Sequence, residues 1–144
     1  MASTIKPSVH VIYCDDIRQE VGNKYSYMGV YSGVLYVPDF PVILPKLCLV
    51  VTATFPDDEE IKSLKLRLLQ NDEQFFERDM DVGNVAEFGI AKATDVQRMR
   101  SFPIPVVFSP YTATEPMLLR VRIVKNGTDE MRGPGLHIAK APAA

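Results

Sequence analysis

The sequence predicts an all-β fold, an antiparallel immunoglobulin-like β-sandwich of about eight short strands with one short helical segment. Three observations carry that expectation. Runs of β-branched and aromatic residues recur along the chain with turn signals between them, apolar positions in those runs alternate with period two, and proline-rich connectors interrupt them. A small closed barrel is the competing architecture; the connectors favour two packed sheets, because such segments let a chain change sheet. The chain has no tryptophan, and its two cysteines are not placed as in an antibody domain, so the likeness is architectural only.

The first seven residues, MASTIKP, are polar and proline-ended, which predicts a flexible arm over 1–7. SVHVIYC then alternates, with Val9, Val11 and Tyr13 on one face and His10, Ile12 and Cys14 on the other. From Lys24 to Pro38 a tyrosine- and valine-rich run carries Gly29 and Gly33 inside it, predicting one long strand that bends or a pair of short ones. PDFPVILP is too rich in proline for a central strand and reads as a crossover between sheets. KLCLVVTATF is the most apolar strand candidate, and it stops at the acidic run PDDEE.

Leu64, Leu66 and Leu68 alternate with Lys65 and Arg67, the pattern of a strand with one wet face. A turn is expected at Asn71 and Asp72, with a short strand near Phe75 to Arg78. The stretch AEFGIAKATDVQRMRSF is the least decided; a short strand followed by one or two helical turns near Thr94 to Met99, capped by Thr94 or Asp95, is expected. IPVVFS is a further short strand. MLLRVRIVKNGTDEMR reads as a hairpin turning at Asn126 and Gly127, with the return strand interrupted at GPG and followed by one more short strand, LHIAKA.

A chain of 144 residues is about one domain long, so residues 1–144 are expected to share one core. The formal charge of −2, from 16 basic and 18 acidic residues, makes no general case for nucleic acid or an anionic membrane as partner. No basic segment precedes an apolar leader core, and the longest apolar runs fall far short of the roughly 20 residues of a spanning helix. The expected location is the cytoplasm, that of a host cell if the protein is phage-encoded. Cys14 and Cys48 lie in apolar strands and read as small buried thiols, in preference to a structural disulfide.

The segment CDDIRQEVGNKYSYMGVYSG supplies Asp15, Asp16, Arg18 and Glu20, then Lys24, Ser26, Gly29, Val30 and Tyr31. In those residues, and in the downstream LPKLCLVV, the chain resembles an uncharacterised family of small bacterial and phage β-rich proteins. The likeness covers about the first third of the chain in detail. It implies a β fold and a bacterial or phage origin, and it brings no established activity.

Asp15, Asp16, Arg18 and Glu20 have the residue types of a catalytic set, but neighbours on an extended chain point to opposite faces. The more economical reading places them just past a strand end as a structural brace, with an aspartate accepting local amides and Arg18 bridging to a carboxylate. The run Asp57 to Glu60 raises a calcium site, which would need acids from a second loop such as Asp15, Asp79 or Asp81. His10 and His137 lack ligand spacing to the cysteines, so no zinc site is expected. No nucleophile elbow, phosphate-binding loop or dinucleotide fingerprint occurs, and no cofactor is implied.

Arg98 and Arg100, with Arg120 and Arg122, compose a candidate basic patch; a wet strand face is the plainer reading. Tyr25, Tyr27 and Tyr31 share one parity, interrupted by Gly29. They either line an outer surface of the kind enriched at protein contacts or pack inward with hydroxyls at the rim. The functional expectation is therefore a non-catalytic protein-interaction or accessory protein with a partner of unknown identity and scope for self-association. A carboxylate-based metal-dependent binder or enzyme is the alternative, and a nucleic-acid or nucleotide binder the third.

Overall fold

A computed structural model of the chain describes residues 6–83, 86–91 and 96–143. Among them are twelve strands and no helix: β1 (Ser8–Glu20), β2 (Lys24–Val30), β3 (Val34–Val37), β4 (Val42–Leu44), β5 (Leu47–Pro56), β6 (Leu64–Gln70), β7 (Glu73–Met80), β8 (Ala86–Ala91), β9 (Val96–Phe108), β10 (Tyr111–Ala113), β11 (Met117–Lys125) and β12 (Asp129–Lys140). No helix among the described residues is long and apolar enough to cross a membrane.

The strands form two five-stranded sheets and a two-stranded ribbon. The front sheet has the order β2-β1-β5-β9-β8, with every neighbouring pair antiparallel. The back sheet runs β3-β12-β11-β6-β7; it is mixed, because β3 lies parallel to β12 while the other pairs are antiparallel. The ribbon pairs β4 with β10. The proline-rich segment does carry the chain across, from β3 in the back sheet to β5 in the front, and it contains the short β4 on the way.

Alternation explains where the core sits. Leu47, Leu49, Val51, Ala53 and Phe55 of β5 point to one side, as do Leu64, Leu66 and Leu68 of β6 and Leu119, Val121 and Ile123 of β11; all are essentially unexposed members of one core cluster that both sheets share. Each such leucine or isoleucine contributes about 1.5–3 kcal/mol when removed from water. Glycine lets the sheets approach: a Cβ on Gly133 would stand 2.9 Å from Val9 and 3.0 Å from Val11. Beside it the Tyr13 hydroxyl donates to the Pro134 carbonyl at 2.5 Å.

Three expectations change. The helical turn expected from Thr94 to Met99 is strand from Val96 onward, because β9 runs on as the antiparallel partner of both β5 and β8; Thr94 and Asp95 lie outside the described residues. Met1 to Ile5 of the expected arm also lie outside them. The IPVVFS run is the end of the thirteen-residue β9, not a strand of its own. GPG does not end the return strand: β12 continues through it with a register shift opposite Leu119 and Val121, a bulge that glycines accommodate. The turns at Asn71 and at Asn126–Gly127 have the positive φ angles their sequences ask for, 53° and then 54° and 78°.

Candidate functional site

The acidic cluster does not follow a strand end. β1 continues through Glu20 and pairs with β2, so Asp15, Asp16, Arg18 and Glu20 all lie in the arm of a hairpin that turns at Val21 to Asn23. Alternation then separates them. Asp15 accepts from the Tyr31 hydroxyl and lies over Gly29, which has φ +66° and where a Cβ would run into the Asp15 carboxylate. Asp16 accepts from Lys46 at 3.1 Å and from the Ile17 amide at 2.9 Å. The Lys46 hydrogen bond is the leading cause that holds the Asp16 carboxyl below its ordinary range. Arg18 is exposed and opposite Ser26, and it makes no ion pair among the described residues; Glu20 is opposite Lys24.

Left-handed backbone at Gly29 also divides the tyrosines. Tyr31 lies beyond it and is tied to Asp15, with burial and then that hydrogen bond raising its pKa. Tyr25 and Tyr27 lie before it, 52% and 37% exposed. With Ile17 and Asn23 of the same hairpin they wall a groove of about 400 Å³ whose remaining lining is Val50, Pro103 and Pro105. These last three belong to the outward side of β5 and β9, since Val50 is opposite Pro105 while Val51 and Ile104 face the core. A volume of this size falls in the range of small-molecule and peptide pockets.

The outward side of the front sheet continues this apolar character. One row across it reads Val30, Cys14, Cys48 and Val107, with the two valines 56% and 52% exposed and the two thiols fully covered. The cysteines are free and directly opposite one another. Burial, ahead of the mutual effect of Cys48, pushes the Cys14 thiol up to about 11. Nothing in the spacing of residues 14 and 48 signals this juxtaposition, because only strand register creates it.

The other candidates are dispersed. Asp16 meets Lys46 just before β5, whereas Asp57 follows its far end; ten residues at about 3.3 Å each separate the two acidic groups by roughly 30 Å. Asp57 faces Arg100 at 3.6 Å, Glu59 holds Lys125 at 2.8 Å and Glu60 meets Lys62 at 3.8 Å. Among the described residues no three histidine, cysteine or acidic side chains converge as a metal site would require. His10 and His137 are exposed in different sheets. Arg98 and Arg100 belong to the front sheet, Arg120 and Arg122 to the back, so the four do not share a sheet face.

On the back sheet the outward side is charged. Arg67, Arg122 and Arg132 stand opposite one another across β6, β11 and β12, with Arg120 two residues before Arg122 on the same face. Glu130 serves both Arg67, at 2.7 Å, and Arg122, at 3.6 Å. Arg67 and Arg132 were not singled out from the sequence; the alternation LKLRL and the bulge at GPG hold the signal, but only the pairing makes it one row.

A family model described as a family of unknown function (DUF6941) matches residues 10–132. The chain belongs to that family. No curated protein and no solved structure matches it. The DUF6941 match starts inside β1 and ends inside β12, so it spans every residue of the tyrosine groove and all four arginines of the back face.

Proposed function

We propose that this DUF6941 chain is a non-catalytic interaction module that pairs with a second copy of itself along β2, beside the tyrosine groove. The observation that carries the reading is the contrast between sheet edges. β2 is an outer strand of the front sheet, so one side of its backbone has no partner strand among the described residues. It carries one charge in seven residues, Lys24, and exposes Tyr25, Tyr27, Met28 and Val30. The edge strand β7, by comparison, carries four charges in eight residues, the usual protection against strand addition. A β2-to-β2 contact is self-complementary under two-fold symmetry, and it brings the tyrosines of both copies to the seam.

Strand order supports an immunoglobulin-like sandwich as the scaffold for this contact. β1-β5-β9-β8 corresponds to the A-B-E-D sheet and β12-β11-β6-β7 to G-F-C-C′, with β2 added beyond the A strand. In that reading β2 is an appendage to the scaffold, which suits a strand used for contact. The acid cluster is then a brace: Asp15 over Gly29 holds the hairpin against the sheet, while Asp16 accepts from the neighbouring Ile17 amide and has Lys46 as an exposed partner.

Sedimentation velocity over a wide concentration range tests the contact. The expected result is a monomer–dimer equilibrium that Tyr27→Lys shifts to monomer without lowering the melting temperature. A chain that stays monomeric at millimolar concentration ends the second-copy reading.

A further inference from the structure

The back face holds a second feature, independent of the β2 edge. Three guanidinium groups, those of Arg67, Arg122 and Arg132, are directly opposite one another on adjacent strands, and Arg120 adds a fourth. Like charges in that arrangement repel, and one carboxylate, Glu130, is shared between two of them. Among the described residues Arg120 has only Asp72 as an ion-pair partner, at 3.9 Å, a side chain 94% exposed. Arg132 makes no ion pair among the described residues. The charges are therefore in excess of their partners.

Arg120, Arg122 and Arg132, but not Arg67, border a shallow cleft of about 210 Å³ whose lining is completed by Leu118, Gly133 and Gly135. Its depth depends on the bulge in β12. At Gly135 a Cβ would press on the Leu119 carbonyl at 2.8 Å and on the Leu118 side chain at 3.1 Å. Among the described residues, the buried Nε of Arg120 has no acceptor, although a buried N–H without one costs stability. Arg122 is 8% exposed; two of its nitrogens are taken up by the Val121 carbonyl at 2.9 Å and by Glu130. A surplus of forked cations and a cleft kept open by glycine call for an oxyanion.

We propose that this cleft binds a phosphate group, held by Arg120, Arg122 and Arg132. Guanidinium forks match the oxygens of such a group, and its two negative charges balance the surplus that one glutamate leaves. Thermal melting and calorimetric titration with inorganic phosphate, against chloride at matched ionic strength, test the site; a nucleoside monophosphate in a parallel arm distinguishes free phosphate from a phosphorylated small molecule as the source. Phosphate is expected to raise the melting temperature saturably where chloride does not. Arg132→Gln, at an exposed position that leaves the core untouched, is expected to weaken binding at least about tenfold, the equivalent of one lost charge-assisted contact. Arg98→Gln, on the other sheet, is expected to leave it unchanged. Equal responses to phosphate and chloride, or equal affinity in wild type and Arg132→Gln, overturn the proposal.

Discussion

The outward faces of the two five-stranded sheets are built on opposite principles. On the front, the outward side of β1, β5 and β9 holds Ile12, Pro105 and the exposed Val107 with Cys14, Cys48 and Val50 covered among them, and a hairpin arm hangs Tyr25 and Tyr27 over Val50, Pro103 and Pro105. On the back, β6, β11 and β12 present Lys65, Arg67, Arg120, Arg122, Glu130 and Arg132, laced by ion pairs. Both faces pack their other side into the same core, so the core does not require the difference. Apolar surface on one outward face and surplus charge on the other are what contact and anion recognition respectively need.

The largest expected effect is on the front. Gly29→Ala forces a side chain into left-handed backbone and drives its Cβ into the Asp15 carboxylate, so the loss should be about 2–3 kcal/mol in urea unfolding. It should also free Tyr31 and loosen the groove. An unchanged midpoint would mean that the hairpin is not held through Asp15.

A smaller effect of opposite sign is expected on the back. Burial, then the neighbouring Arg132, lowers the Arg122 pKa, which means the fold disfavours its charge. Arg122→Met should therefore stabilise the protein by about 1 kcal/mol, while Glu130→Gln, which strips the shared counter-charge, should destabilise it by a similar amount. If both substitutions destabilise equally, the back face is held by its charges and is not strained by them.

The sequence made the core half of this contrast easy to see and the outward half hard. LKLRL and LLRVRI declare which residues face inward, and Asn126–Gly127 declares the hairpin, because period and turn chemistry are local properties. The row Arg67–Arg122–Arg132 and the pair Cys14–Cys48 depend on register between distant segments, which no local pattern encodes. The acid cluster misled for a related reason. CDDIRQE looks like a loop by composition, yet pairing with β2 keeps it extended to Glu20, and polar residues are tolerated there because the hairpin arm is largely exposed. In the same way ATDVQRM has helical letters, but pairing with β8 recruits Val96 to Met99 as ladder, and Met99 is also opposite Pro56 of β5.

Alkaline pH probes the front face through Cys14. The Cys14 thiol is raised from its ordinary 9.0 to about 11, first by burial. Between those values the unfolded chain loses a proton that the folded chain keeps, so this contribution is complete below pH 9.0 and fades as pH climbs to about 11. Tyr13, also raised by burial, extends the decline to higher pH. Cys14→Val should flatten the stability slope between pH 9 and about 11 and leave neutral stability little altered; the same slope in the variant would show that the thiol does not titrate there.

The smallest effect belongs to the residue that looked most chemical. Asp16 and Lys46 form their ion pair with side chains 41% and 42% exposed, and solvent screens such a pair almost completely. Asp16→Asn keeps an oxygen for the Ile17 amide and removes only the charge, so the melting temperature at pH 7 should barely move. The sign with pH is fixed by the lowered Asp16 pKa: whatever the carboxylate contributes is present above its unfolded pKa and is lost as pH falls through the folded one. Wild type and Asp16→Asn should therefore converge in acid, with their small gap open only near neutrality. A large gap at pH 7 would mean that the front hairpin is held by charge, and the two faces would then differ less than their compositions imply.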